Sequence, residues 1–199
     1  MIQRIVSADW LAMGKINAIL PVKLFCGVLT SLPEIMPDIQ KRLGEAFGPV
    51  DLCGTAYPFD LTHYYDEEMG IPILRYFLSF TGLIAPSEIS SIKKTTNAME
   101  TVFTGVSQPL RRPVNLDPGY LEESKIVLAS TKNFYHRILL ADGIYGEVTM
   151  HYSGGSWQSF PWSFPDFRSG RYDEFFSKLR RRYRSQLKEA AYDRGQADA

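Results

Sequence analysis

Two of the three histidines, His136 and His151, share one stretch with Glu147, and their spacing suggests how they could meet. Residues 135–140 and 145–152 read as the strands of a hairpin around Asp142-Gly143, because Asp-Gly supplies the positive φ angles of a type I′ turn. With those two as the loop, Leu140 faces Tyr145, Ile138 faces Glu147 and His136 faces Thr149. Period-two alternation then sets His136, Glu147 and His151 on one face. A histidine diagonal to a carboxylate is held in one tautomer, as a general base or a metal ligand requires. A half-exposed ribbon whose polar face meets water would carry the same pattern, and a one-residue slip would scatter the set.

A second group is Asn115-Leu116-Asp117-Pro118-Gly119-Tyr120. Pro followed by Gly predicts a tight turn whose backbone Asn and Asp can cap. Arg111 and Arg112 lie just upstream, and Lys125 and Lys132 just downstream. Four cations around a rigid turn suit an anionic ligand such as a phosphate, although spaced basic residues are commonly just solvated. The expected ligand contacts are Arg112, Asn115, Lys132, Asn97 and Tyr120, with His136, Glu147 and Asp117 as the catalytic set. Asp60 and His63, three residues apart, could ligate one divalent metal ion, with Asp117, His136 or Glu147 as the missing partner. Lys93, Asn97 and Glu100 recur at i, i+4 and i+7 and read more readily as a polar helix face than as a ligand set. Asn97 stands out among them because a mid-helix Asn gives up helix propensity.

No GxxxxGK[ST], GxGxxG or GxSxG motif is present, so a P-loop enzyme, a standard dinucleotide enzyme and an ordinary serine hydrolase lack support. No cofactor is specified. The alternative to a small-molecule site is a non-catalytic RNA- or protein-binding module. It would use the basic run 180–184 and the aromatic residues Trp157, Phe160, Trp162, Phe164 and Phe167. Lys+Arg and Asp+Glu are both 22, so bulk charge does not favour nucleic acid.

These residues need elements to hold them. The apolar run 22–29 predicts a central strand. Ser31-Leu-Pro-Glu opens a helix with a capping-box pattern, and Gly48-Pro49 ends it. Strands follow at 50–57 and 71–80, a second helix opens at Pro86-Ser87, and a strand is expected at 125–131. An aromatic loop spans 157–168, and a closing helix starts near Tyr172. This order predicts an α+β fold, a largely antiparallel sheet with a ferredoxin-like split βαβ core, extended by the hairpin and completed by a C-terminal helix. Residues 1–21 read as a leader or docking helix, 22–191 as a single domain and 192–199 as a frayed tail. Cys26 and Cys53 form no metal-ligand spacing and are expected as two buried thiols. No apolar run is long enough for a membrane span, and the expected location is cytoplasmic. Oligomeric state is not specified by any of these features.

Several blocks together resemble one family. KLFCGVLTS at 23–31, YPFDLTHYYDEEMG at 57–70, IKKTTNAME at 92–100, VNLDPGYLEESKIVLASTKNFYHRILLADGIYGEVT at 114–149 and WSFPDFRS at 162–169 are similar to the prokaryotic domain-of-unknown-function family four-four-one-six. The resemblance spans about residues 22–184. It implies a single-domain bacterial or archaeal protein and brings no established catalytic residues with it. The shared blocks contain Asp60, His63, Asn97, Asp117, Lys132, His136 and Glu147.

Overall fold

The apolar run near the N-terminus becomes strand β1 (Val22–Thr30), and all nine of its residues are buried. Burial on both faces explains why the run lacks alternation. The computed structural model describes residues 18–104 and 110–197. Most of the expected leader therefore lies outside the described residues.

A 3-10 turn at Pro33–Ile35 leads into α1 (Met36–Phe47), which Gly48 ends at φ 93°. The capping box does not form. Ser31 instead donates its hydroxyl to the Met69 carbonyl, and no side chain caps the turn. The strand expected over 50–57 is split into β2 (Val50–Cys53) and β3 (Tyr57–Pro58). A single helical turn, α2 (Asp66–Met69), precedes β4 (Leu74–Ile84). Helix α3 (Ile89–Phe103) follows, and then β5 (Val114–Leu121), where a turn was expected. The chain continues through β6 (Lys125–Ser130), β7 (Ile138–Ala141), β8 (Ile144–Ser153) and β9 (Ser156–Ser159). Within the expected aromatic loop lie β9 and the short α4 (Pro165–Arg168). Helix α5 (Asp173–Ala197) runs through most of the segment expected to fray.

The sheet has nine strands among the described residues, in the order β2-β4-β1-β5-β6-β8-β7, with β3 added to β4 and β9 to β8. All pairings are antiparallel. The fold is thus α+β with a large antiparallel sheet and a C-terminal helix. Helices α1 and α3 cover one face, where Ile39, Leu43, Ile89, Ile92 and Phe103 pack on Leu24, Cys26 and Val28. Helix α5 covers the other, with Phe175, Phe176, Leu179 and Tyr183 on Phe25, Phe77 and Leu121. Cys26 is buried in the first layer, whereas Cys53 is exposed at the end of edge strand β2, contrary to expectation. Among the described residues no helix is long and apolar enough to cross a membrane.

Candidate functional site

The site begins where two strands part. β5 pairs with β1 along its whole length but with β6 only from Gly119 to Leu121. Beyond that join a cavity of about 120 Å³ is lined by Asn115 and Asp117 on one side and by Leu128 to Lys132 on the other.

Opening a sheet strands backbone groups, and α3 supplies their partners. The Leu116 N–H donates to Glu100 Oε1 at 2.8 Å, and its carbonyl accepts from Lys93 Nζ at 2.6 Å. In an antiparallel ladder alternate residues point both groups to the same side. Two α3 side chains therefore replace the strand that has moved away. Pro118 is the next residue on that side, and it has no N–H to satisfy. Gly119 makes the join itself: a Cβ there would stand 2.5 Å from the Val127 carbonyl oxygen and 2.7 Å from the Phe25 ring. The Asn-Leu-Asp-Pro-Gly-Tyr run is consequently a strand. Its turn-like residues serve the splitting of a sheet, not the reversal of a chain.

Arg75, on β4, reaches the cavity across Gly27 of the intervening β1. A Cβ at Gly27 would lie 2.9 Å from Arg75 Nη1. The guanidinium bonds Asp117 Oδ2 at 3.1 Å and meets Asp166 Oδ2 at 3.3 Å, and it sits over the Phe59 ring at 5.3 Å. Tyr172 donates to the same Asp166 oxygen at 2.9 Å. Arg75 is 3% exposed, and its Nε has no hydrogen-bond partner. Burial acts to raise the Asp117 carboxyl, but Lys93 and Arg75 beside it, with the Asn115 amide donating at 2.7 Å, outweigh this and hold it below its ordinary value. Arg112 donates to Glu100 Oε2 at 2.9 Å and also to Asn115 Oδ1. Burial pushes the Glu100 carboxyl upward, further than Lys93, the Leu116 N–H and Arg112 pull it down.

Glu147 forms the opposite wall. It accepts from Arg137 Nε at 2.7 Å and Thr149 Oγ1 at 3.1 Å, and meets His136 Nε2 at 3.1 Å. Arg137 also donates to Ser130 Oγ at 3.0 Å and the Lys132 carbonyl at 2.9 Å. Lys132 donates to the Tyr64 hydroxyl and lies 4.6 Å from that ring's centre.

The hairpin differs from its expected register. Asp142 and Gly143 do turn it, at φ 52° and 75°. Leu140 bulges, however, so Leu139 faces Tyr145 and Ile138 faces Gly146. β7 begins only at Ile138, and His136 lies outside the ladder, against Glu147 by way of the preceding loop. A second irregularity leaves Thr149 without an opposite residue, since Ile126 pairs with Met150 but Val127 with Val148. His151 lies beyond it, 4.9 Å from the Phe160 ring and away from the cavity.

Of the residues singled out from sequence, Asn97, Arg112, Asn115, Asp117, Lys132 and Glu147 line the cavity. His136 stands behind Glu147, stacked 5.8 Å from Trp162, with its Nδ1 buried and unpartnered. Tyr120 turns to the other face and packs in the α1–α3 layer. Asp60 and His63 are not brought together as a ligand pair. Asp60 accepts from Arg171 at 2.6 Å, and His63, 92% exposed, meets Asp66 at 2.7 Å. Among the described residues no cluster of three His, Cys, Asp or Glu side chains could hold a metal ion. Arg75 and Arg137 belong to the site and were not singled out, while Lys93 and Glu100, expected as a polar helix face, are turned toward β5 instead. The available signal was a lone cation inside the apolar run Ile-Leu-Arg-Tyr-Phe and opposite charges seven apart on one helix.

The basic run of α5 is largely tied to the protein. Arg180 donates to the Glu123 carbonyl at 2.6 Å over the Tyr152 ring, Arg182 meets Asp51 at 3.5 Å, and Arg184 meets Glu123 at 3.0 Å. In the aromatic segment Trp157 and Phe167 are buried, and Phe160 stacks on Trp162 at 4.7 Å.

Searches of curated proteins and of solved structures returned no match to this chain. The model of the family described as Domain of unknown function (DUF4416) matches residues 20–183, the β1-to-α5 body that builds the cavity, and the chain belongs to that family.

Proposed function

We propose that the cavity between β5 and β6 binds a small anionic molecule, with a phosphorylated compound as the best-fitting class. The observation that carries this reading is the convergence of five cations, Arg75, Lys93, Arg112, Lys132 and Arg137, on a single small cavity. Five carboxylates, Asp117, Glu147, Glu100, Asp166 and Glu68, contact these cations. Lys132 is the cavity cation with no carboxylate partner among the described residues, and it stands where the β6 wall ends. A forked guanidinium beside an ammonium suits phosphate oxygens, and a partly enclosed site strengthens the attraction.

Asn97, half-buried on the wall, has no side-chain partner among the described residues and is available to a neutral part of the ligand. Asp117, ionised between Arg75 and Lys93, is the group able to accept a hydroxyl hydrogen bond. Glu147 faces the ligand, and His136 acts through it as a positioning residue.

The test is calorimetric titration and thermal melting with inorganic phosphate, pyrophosphate and simple sugar phosphates. A ligand at a hundred times its Kd stabilises by about 2.7 kcal/mol. Lys132→Ala, at an exposed position, should fold normally and weaken binding at least tenfold. Absence of any response across the panel, or an unchanged Kd in that variant, would overturn the reading.

A further inference from the structure

We infer that β7 is the contact between two copies of this chain, joined edge to edge across a two-fold axis. Among the described residues β7 is the last strand of the sheet and pairs only with β8, so its outer N–H and C=O groups have no described strand beside them. Proteins ordinarily guard such an edge with charge, proline, a covering element, a short strand or a bulge, and among the described residues β7 has only its four-residue length and the Leu140 bulge. The opposite edge is guarded: β2 carries Asp51, and Arg182 of α5 reaches over to it at 3.5 Å. β7 reads Ile-Leu-Leu-Ala, with no charge and no proline, and all four residues are exposed.

The exposed apolar surface continues upstream. The Phe134 and Tyr135 rings lie 4.8 Å apart and are 58% and 77% exposed. Ile138, Leu139 and Leu140 are 73%, 57% and 43% exposed. Summed over both sides of the strand and the segment before it, these five residues leave on the order of 700 Å² in contact with water. The same area is close to the ~800 Å² that each partner gives to a standard interface.

The chemistry of the strand selects a second copy as the occupant. Antiparallel pairing of a strand with itself is isologous and closes after two chains. The residues such pairing brings together, Ile138, Leu139, Leu140 and Ala141, are all apolar. No charge pattern on β7 would choose a different protein. This inference stands apart from the ligand reading, since it uses none of the cavity's side chains.

Sedimentation equilibrium of the full chain from the micromolar range upward tests it. The wild type should show a monomer–dimer equilibrium, and hydrogen exchange at the Leu139 amide should slow as concentration rises. Leu139→Lys and Ile138→Lys should each raise the dimer Kd at least tenfold while leaving the melting of the monomer unchanged. Val102→Lys, at an exposed position on α3, should leave the Kd as it was. A wild type that stays monomeric throughout would overturn the proposal, whether or not it adheres to lipid vesicles or another protein. A dimer that persists in both β7 variants would overturn it equally.

Discussion

Asp117 and Glu100 are two acids a short distance apart whose environments push them in opposite directions. Lys93 and Arg75 prevail over burial at Asp117, whereas burial prevails over Lys93 and Arg112 at Glu100. The linkage signs therefore differ. Asp117 has a folded value below its unfolded one of about 3.9, so its contribution is complete above that pH and is lost as the pH falls through the folded value. Glu100 has a raised folded value, so its contribution is complete below its unfolded value of about 4.3 and is lost as pH rises through the folded value. Asp117→Asn should lower stability at neutral pH by roughly 1.5–3 kcal/mol and flatten the acid-side decline. Glu100→Gln should instead remove a gain in stability on mild acidification. Urea denaturation from pH 3 to 7 separates them, and parallel pH profiles for the two variants would contradict the assignment. At this scale the sequence was partly readable. Asp117 and Glu147 are conspicuous because polar residues interrupt apolar runs. Lys93 and Glu100 look like an ordinary solvated helix face until β6 is seen to leave β5, which turns their spacing into a pair of backbone caps.

Gly119 shows how one residue governs the relation between two strands. An added methyl would meet the Val127 backbone at 2.5 Å, and backbone cannot swing aside as a flexible side chain can. Gly119→Ala should thus cost more than about 2 kcal/mol and shift the β5–β6 join, seen as faster hydrogen exchange at Tyr120 and Val127. Gly44 offers the converse, since nothing lies within 4 Å of a Cβ there and it sits inside α1. Gly44→Ala should stabilise by roughly 0.5–1 kcal/mol in the same urea experiment. Equal effects at the two positions would mean that close approach at Gly119 is not what requires glycine. The unbroken apolar run of β1 and the helical period of α1 and α5 were legible because burial writes itself directly into composition and spacing. β5 was not, because Pro and Gly are turn residues wherever local chemistry decides. Here the tertiary split decides. The hairpin was legible from Asp-Gly, but its register was not, since the Leu140 bulge leaves no mark in alternation.

Across the whole molecule 22 basic residues balance 22 acidic ones, so what matters is where the cations lie and what holds them. One concentration is the cavity, where Lys132 lacks an acidic partner. The other is α5, where Arg180, Arg182 and Arg184 are engaged by Glu123, Asp51 and Tyr152. Sequence reveals the α5 run and only part of the dispersed cavity set, and it hides that α5 is occupied, because the acids that meet it come from distant strands and turns. The two make different predictions for salt. Nucleic-acid binding through 6–10 phosphate contacts loses about 10³–10⁵ in affinity between 50 and 200 mM salt. With three of the four arginines of the 180–184 run already engaged, α5 should give no such behaviour, and fluorescence anisotropy with a single-stranded RNA should show no saturable binding at 50 mM salt. Phosphate in the partly enclosed cavity should weaken by less than about tenfold over that range, because buried charges are screened far less than exposed ones. Tight RNA binding with a steep salt slope, abolished by Arg180→Ala and Arg184→Ala together, would transfer the function from the cavity to the helix.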